Sequence, residues 1–240
     1  MQYLRELIAA TRAAHPADNF FREFETGIAQ NVLKRRYFAA YERALRYLDD
    51  ASWRNLRTKA VAHFHESRNQ QLKAPFFDQL NDVFAYRWLV HQGFSRVTVL
   101  PENRRPKPGK KCPDLTFFGP HKLFACDVKT IGFSKVELNR RQSAPKYHDW
   151  SMYKALAPGF FHKIDDAIVK GAEQIRQYAE GGLVFIVVHS DDITSSFCAE
   201  HRTQITRHLR KHSVPVVVKF GVCGQKRIER VPSLFADNAA

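Results

Sequence analysis

Residues 112–130 read CPDLTFFGPHKLFACDVKT. Two apolar runs, LTFF and LFACDV, flank Gly119 and Pro120, the pattern of neighbouring strands joined by a tight connection. Successive side chains of a strand point to opposite faces, so Asp127 and Lys129 share one face while Val128 enters the packing layer behind them. A hairpin-like return brings Asp114, at the start of the first strand, toward that same face. Two carboxylates and an ammonium then converge where the strand pair opens. Like charges a few ångströms apart repel and Asp is a poor strand former, so the cluster calls for a cation.

Upstream of this pair, SRVTVLP after Gly93 reads as a strand, and ENRRPKPGKK reads as an exposed basic loop leading into Asp114. Everything before Gly93 is helical in pattern. From Asn19 to Asp50, Phe24, Ile28, Val32, Tyr37, Ala40, Tyr41, Ala44, Leu45 and Leu48 recur at helical spacing, as one long helix or two. A second helical stretch covers Ala51 to Leu72. Pro75 is placed to open a third, through Phe77, Leu80, Phe84, Trp88 and Leu89 to Gly93. The aromatic residues of the early helices are read as packing side chains, in a helical domain or a dimer surface, rather than as a base-stacking platform.

Downstream, a polar stretch from Gly132 to Pro158 reads mostly as loop. A helix from about Phe160 to Glu180, the strand LVFIVVH, a helix from about Ser195 to His212 and the strand VPVVVKFG follow. The order predicts an α/β fold, a mixed sheet flanked by helices, with a helical N-terminal region over 1–74 and the α/β domain over 75–240.

Hydrophobic residues make up 44% and charged residues 26% of the 240, the balance of a folded globular chain rather than a disordered one. Lys and Arg number 38 against 24 Asp and Glu, a formal net charge of +14, which favours polyanionic partners. The basic residues are spread over several elements instead of one amphipathic helix, which favours nucleic acid over a membrane surface. The N-terminus lacks the uninterrupted apolar stretch of a signal peptide, no window approaches a spanning helix, and Cys112, Cys126, Cys198 and Cys223 lack CxxC spacing. A cytoplasmic chain with reduced thiols is therefore expected.

The cation that suits Asp114 and Asp127 is Mg²⁺, with Mn²⁺ able to substitute. It prefers carboxylate and water oxygens, and the cluster lacks the His and Cys of a zinc site. PD, twelve residues, then DVK resembles the signature of the PD-(D/E)xK nuclease superfamily, with Asp in place of Glu at the middle position. That resemblance implies a restriction-endonuclease-like αβββαβ core, which the element order here parallels, and phosphodiester hydrolysis, with DNA as the preferred substrate.

Two further matches extend the resemblance over about Pro75 to His189. Asp82, Ala85, Leu89 and Gly93 reproduce the spacing of the superfamily's first helix, which makes Asp82 the helical carboxylate, with Asp78 one turn earlier as the alternative. Gln174 and Tyr178 form a QxxxY element like that of the lambda-exonuclease and helicase-nuclease branch. A spacing of four puts both on one helix face, where an amide and a phenol can hydrogen-bond to substrate or to water. The resemblance thus implies Mg²⁺ held by Asp82, Asp114, Asp127 and the Val128 carbonyl. Lys129 assists the attacking water, and Gln174 and Tyr178 lie beside the site.

Arg104, Arg105, Lys107, Lys110 and Lys111, in the basic loop, are the expected phosphate-contacting residues. The rival expectation is a nucleic-acid-binding module without catalysis, or a subunit of a larger DNA-processing complex, on the same fold; a homodimer or larger assembly is compatible with either. His63, His65 and Glu66 are read as surface residues, since i and i+2 diverge on a helix. His201, His208 and His212, with Arg202, Arg207, Arg210 and Lys211, read as one solvated basic helix, with phosphate contact as the alternative.

Overall fold

The computed structural model describes residues 1–68, 71–102, 112–119, 122–132, 150–189, 196–224 and 227–231. The proposed phosphate-contacting residues Arg104, Arg105, Lys107, Lys110 and Lys111 lie outside the described residues. The chain divides into two compact units, Met1–Leu123 and Phe124–Ala240, so the boundary drawn at 74/75 from the sequence falls inside the first. Helices and a mixed sheet make the fold α/β. No described helix is long and apolar enough to cross a membrane.

The first unit begins with α1 (Gln2–Ala14), α2 (Phe24–Gln30), α3 (Val32–Leu45) and α4 (Asp50–Ala62). Helix α1 lies in the region read as helical, where the sequence reading set no bounds for it, and Leu4, Leu7, Ile8 and Thr11 form its buried stripe at i, i+3, i+4 and i+7. Glu42 of α3 accepts hydrogen bonds from the Gln2 and Leu4 amides at 2.9 and 3.1 Å, satisfying two of the donors that a helix start leaves open. The stretch 19–50 resolves into two helices because Asn31 starts a new one, its side chain accepting from the Lys34 amide at 3.0 Å.

The helix expected over Ala51 to Leu72 ends at Ala62. A two-stranded ladder follows, β1 (Ser67–Arg68) and β2 (Gln71–Leu72). Phe64 leaves the helix axis to enter an aromatic cluster with Phe20, Phe21 and Phe76. Phe21, Phe24, Phe38 and Tyr41 are buried there too, so these rings pack rather than offer a stacking platform. Lys73 is buried at φ 61°, its ammonium over the Phe64 ring and paired with Asp18.

The helix expected from Pro75 to Gly93 is broken into α5 (Ala74–Leu80) and α6 (Asp82–His91). The break is Asn81, whose buried side chain accepts the Tyr41 hydroxyl at 2.8 Å. Strand β3 (Ser95–Val99) runs antiparallel to β4 (Leu115–Phe118), with Thr98 opposite Thr116 and a register irregularity between Ser95 and Thr98, where Arg96 has φ 49°.

In the second unit β5 (Leu123–Ile131), β6 (Gly182–Val188) and β7 (Val216–Phe220) are parallel neighbours in that order, and β8 (Arg227–Arg230) pairs antiparallel with β7. Leu123 alone of β5 belongs to the first unit. Every residue of β6 is buried, which explains its uninterrupted apolar run. Helix α7 (Pro158–Arg176) covers this sheet through Ile164, Ile168 and Ile175, and α8 (Cys198–Leu209) adds Ile205 and Leu209 to the same core. Lys219 of β7 is buried, its ammonium donating to the Gly221, Val222 and Gly224 carbonyls at 2.6, 3.1 and 2.5 Å.

His63, at the end of α4, is partly buried, with Glu66 at 2.9 Å from Nδ1 and Glu102 at 3.0 Å from Nε2. The surface reading is thereby refined: His65 is exposed, and His63 is a carboxylate-bracketed imidazole at the surface. Burial disfavours its charge, but Glu102 and then Glu66 outweigh burial and raise its pKa. A folded value above the unfolded one means that the stabilisation is full below about pH 6.5 and is lost as pH rises through the folded value. An NMR titration is expected to place the His63 midpoint above 6.5 and to show it falling in Glu102→Gln; a midpoint at or below 6.5 in the parent contradicts the bracket.

Candidate functional site

In the first unit α4 turns Ser52, Leu56, Lys59 and Ala60 inward. Ser52 Oγ accepts the Val99 amide at 3.1 Å and Asn55 donates to the Val99 carbonyl at 2.8 Å, which fixes α4 against the end of β3. One turn on, the Lys59 ammonium reaches Asp82 Oδ2 at 2.8 Å and Asp114 Oδ1 at 3.4 Å. Asp82, 2% exposed, is the first residue of α6, immediately after the Asn81 that Tyr41 holds. The Asp114 carbonyl accepts the Leu100 amide at 2.9 Å, which ties the PD element to the β3 side of the strand pair.

Lys59 is thus a residue that the motif search missed. Burial works against its charge, yet attraction to Asp82 and then Asp114 prevails, and the ammonium is held above the ordinary lysine range. A signal for it exists in the sequence: Lys59 stands seven residues after Ser52, beside Leu56 and Ala60, on the apolar stripe of its helix, where an unpaired lysine is rare. Of the two helical candidates, Asp82 shares this lysine with Asp114, while Asp78 sits partly buried on α5.

In the second unit β5 presents Asp127 and Lys129 on one face, Nζ to Oδ2 at 2.6 Å. Asp127 is 1% exposed and Val128 is buried. The same ammonium donates to Gln174 Oε1 at 2.6 Å, so the DVK strand and the QxxxY helix meet at the lysine, 45 residues apart in sequence. Tyr178 lies beyond the helix end rather than on it: α7 stops at Arg176, and Tyr178 donates its amide to the Ile175 carbonyl in the following turn, its ring packed against the core. The expectation that Gln174 and Tyr178 share one helix face is corrected accordingly.

Gly171 of α7 is the second residue the sequence reading missed. A Cβ there would lie 2.9 Å from Asp127 Oδ2 and 2.8 Å from Val184 Cγ2, so only glycine lets the helix approach the carboxylate so closely. A glycine inside an otherwise strong helical pattern, three residues before Gln174, was its sequence signal.

Asp82 and Asp114 share the Lys59 ammonium and Asp127 meets that of Lys129, so each of these carboxylates is paired with a lysine. No protein-family model, curated protein or solved structure matches this chain.

Removing one partner of a buried ion pair leaves the other charge uncompensated, a cost of roughly 3 kcal/mol or more. Lys59→Met is therefore expected to lower the melting temperature and, with Asp82 and Asp114 now competing for a cation, to show a larger Mg²⁺-induced rise than the parent. An unchanged melting temperature, or an equal Mg²⁺ response, contradicts this role of the lysine.

Proposed function

We propose that the chain is a Mg²⁺-dependent nuclease of the PD-(D/E)xK type that hydrolyses phosphodiester bonds in DNA. The observation that carries this reading is the meeting of Asp127, Lys129 and Gln174, which joins two motif elements that resemble the same superfamily. The carboxylates of Asp82, Asp114 and Asp127 and the Val128 carbonyl hold the cation on this reading. Mg²⁺, when bound, supplies Lewis-acid polarisation of a phosphate oxygen and charge neutralisation.

Lys129 orients the attacking water and stabilises negative charge developing on the phosphate, in line with a primary ammonium held at a fixed position. Gln174 provides that fixing: its acceptor oxygen limits the rotation of an otherwise flexible lysine. Tyr178 keeps the place beside the site that the QxxxY motif gives it, with its ring packed against the core in the turn after α7. The exposed Arg202 and Arg207 of α8 and Arg210 just past its end, with the net charge of +14, supply the phosphate attraction that a nuclease needs.

The rival reading is a nucleic-acid-binding module whose carboxylates are neutralised by lysines alone, and the pairing of Asp82 and Asp114 with Lys59 favours it. The two separate in one assay. With Mg²⁺ or Mn²⁺ the purified chain is expected to cleave linear, circular or single-stranded DNA, and Asp127→Asn or Lys129→Met, folded by circular dichroism, is expected to lose at least about 100-fold in rate. DNA binding that EDTA leaves unchanged, without cleavage of DNA or RNA, establishes the binding module instead.

A further inference from the structure

The histidines of α8 are not the solvated surface that their sequence suggests. His201 is buried against the Tyr153 carbonyl at 2.7 Å. His208, in the last turn, and His212, just past the helix end, both aim Nε2 at one oxygen of Asp165 on α7, Oδ1, at 2.7 and 2.8 Å. The three ligand atoms lie within 4.8 Å of one another, and all three side chains are partly buried.

We propose that Asp165, His208 and His212 form a transition-metal site that takes Zn²⁺. Two imidazole nitrogens and one carboxylate oxygen are the donor set of borderline ions, with the remaining positions open to water or an added ligand. It is unlike the all-oxygen set of Asp82, Asp114 and Asp127, and the proposal stands apart from the nuclease reading. Zinc at about 2.0–2.1 Å from each atom requires neighbouring donors roughly 3.3 Å apart. The two imidazole-to-carboxylate separations, 2.7 and 2.8 Å, need open by about half an ångström, and the two imidazole nitrogens lie within 4.8 Å of each other.

The surroundings are those of a prepared ligand set. Lys211 donates to the other carboxylate oxygen, Oδ2, at 2.8 Å, which leaves Oδ1 directed at the two imidazoles. Phe161 packs on the His208 ring, centroids 4.5 Å apart, and restricts its rotation. An ion here would clamp α7 to α8.

The test is Zn²⁺ binding to the full chain after chelator treatment, by calorimetry, with Co²⁺ as a visible-absorption probe of nitrogen and oxygen ligation. One Zn²⁺ per chain is expected, with a rise in melting temperature that millimolar Mg²⁺ does not reproduce or compete away. His208→Gln, His212→Gln and Asp165→Asn, each checked by circular dichroism, are expected to bind Zn²⁺ about 100-fold more weakly. A parent that binds no Zn²⁺, or folded variants that bind it as the parent does, overturns the site and leaves a hydrogen-bonded clasp. The parent's Co²⁺ spectrum decides the matter should a variant fail to fold: no ligand-field bands beyond those of aqueous Co²⁺ overturns it as well.

Discussion

A carboxylate taken out of water must meet a positive charge, because the desolvation of an unpaired ion costs more than a small protein's whole margin of stability. Asp82 and Asp127 are the least exposed acids among the described residues, and each lies against a lysine ammonium. Much of the packing follows from seating those pairs. In the first unit α4 must approach β3 closely enough for Lys59 to reach Asp82 and Asp114, and the Ser52 and Asn55 bonds to Val99 hold it there. In the second, α7 must approach β5, and Gly171 supplies the room.

Such pairs are weak arguments for stability, since apolar substitution of a whole buried pair is often neutral. On the proposed reading two of them are retained, in different units and on different secondary elements, for what carboxylates do when a divalent ion is available. The neutralising lysines then serve as internal counter-charges. On the proposed reading Lys129 carries a further role toward water, and Lys59 keeps the first unit folded while its acids await a cation.

The parts of this arrangement that were legible in the sequence are those set by local periodicity. Asp127 and Lys129 share a face because strands alternate, and the apolar run of β6 announces a strand buried on both sides. Interactions between distant residues were not legible. Lys59 is 23 residues from Asp82 and 55 from Asp114, and nothing but its place on an apolar stripe hints at the pair. The division of 75–93 into two helices depends on a hydroxyl 40 residues away, that of Tyr41. Strand β8, with only Ile228 turned inward, carries too short a pattern to stand out. The clustering of His208 and His212 on Asp165 is equally non-local, and it converted a basic helix into a candidate ligand set.

The central claim of the proposed reading is that the carboxylates of the PD and DVK elements, Asp114 partly buried and Asp127 buried, hold a divalent ion. Mn²⁺ titration of the full chain, followed by electron paramagnetic resonance, measures that ion directly and independently of any DNA substrate. The account predicts a Mn²⁺ that Mg²⁺ displaces and that folded Asp127→Asn loses. Mn²⁺ binding that survives this substitution unchanged, or no Mn²⁺ bound by the parent, would contradict it.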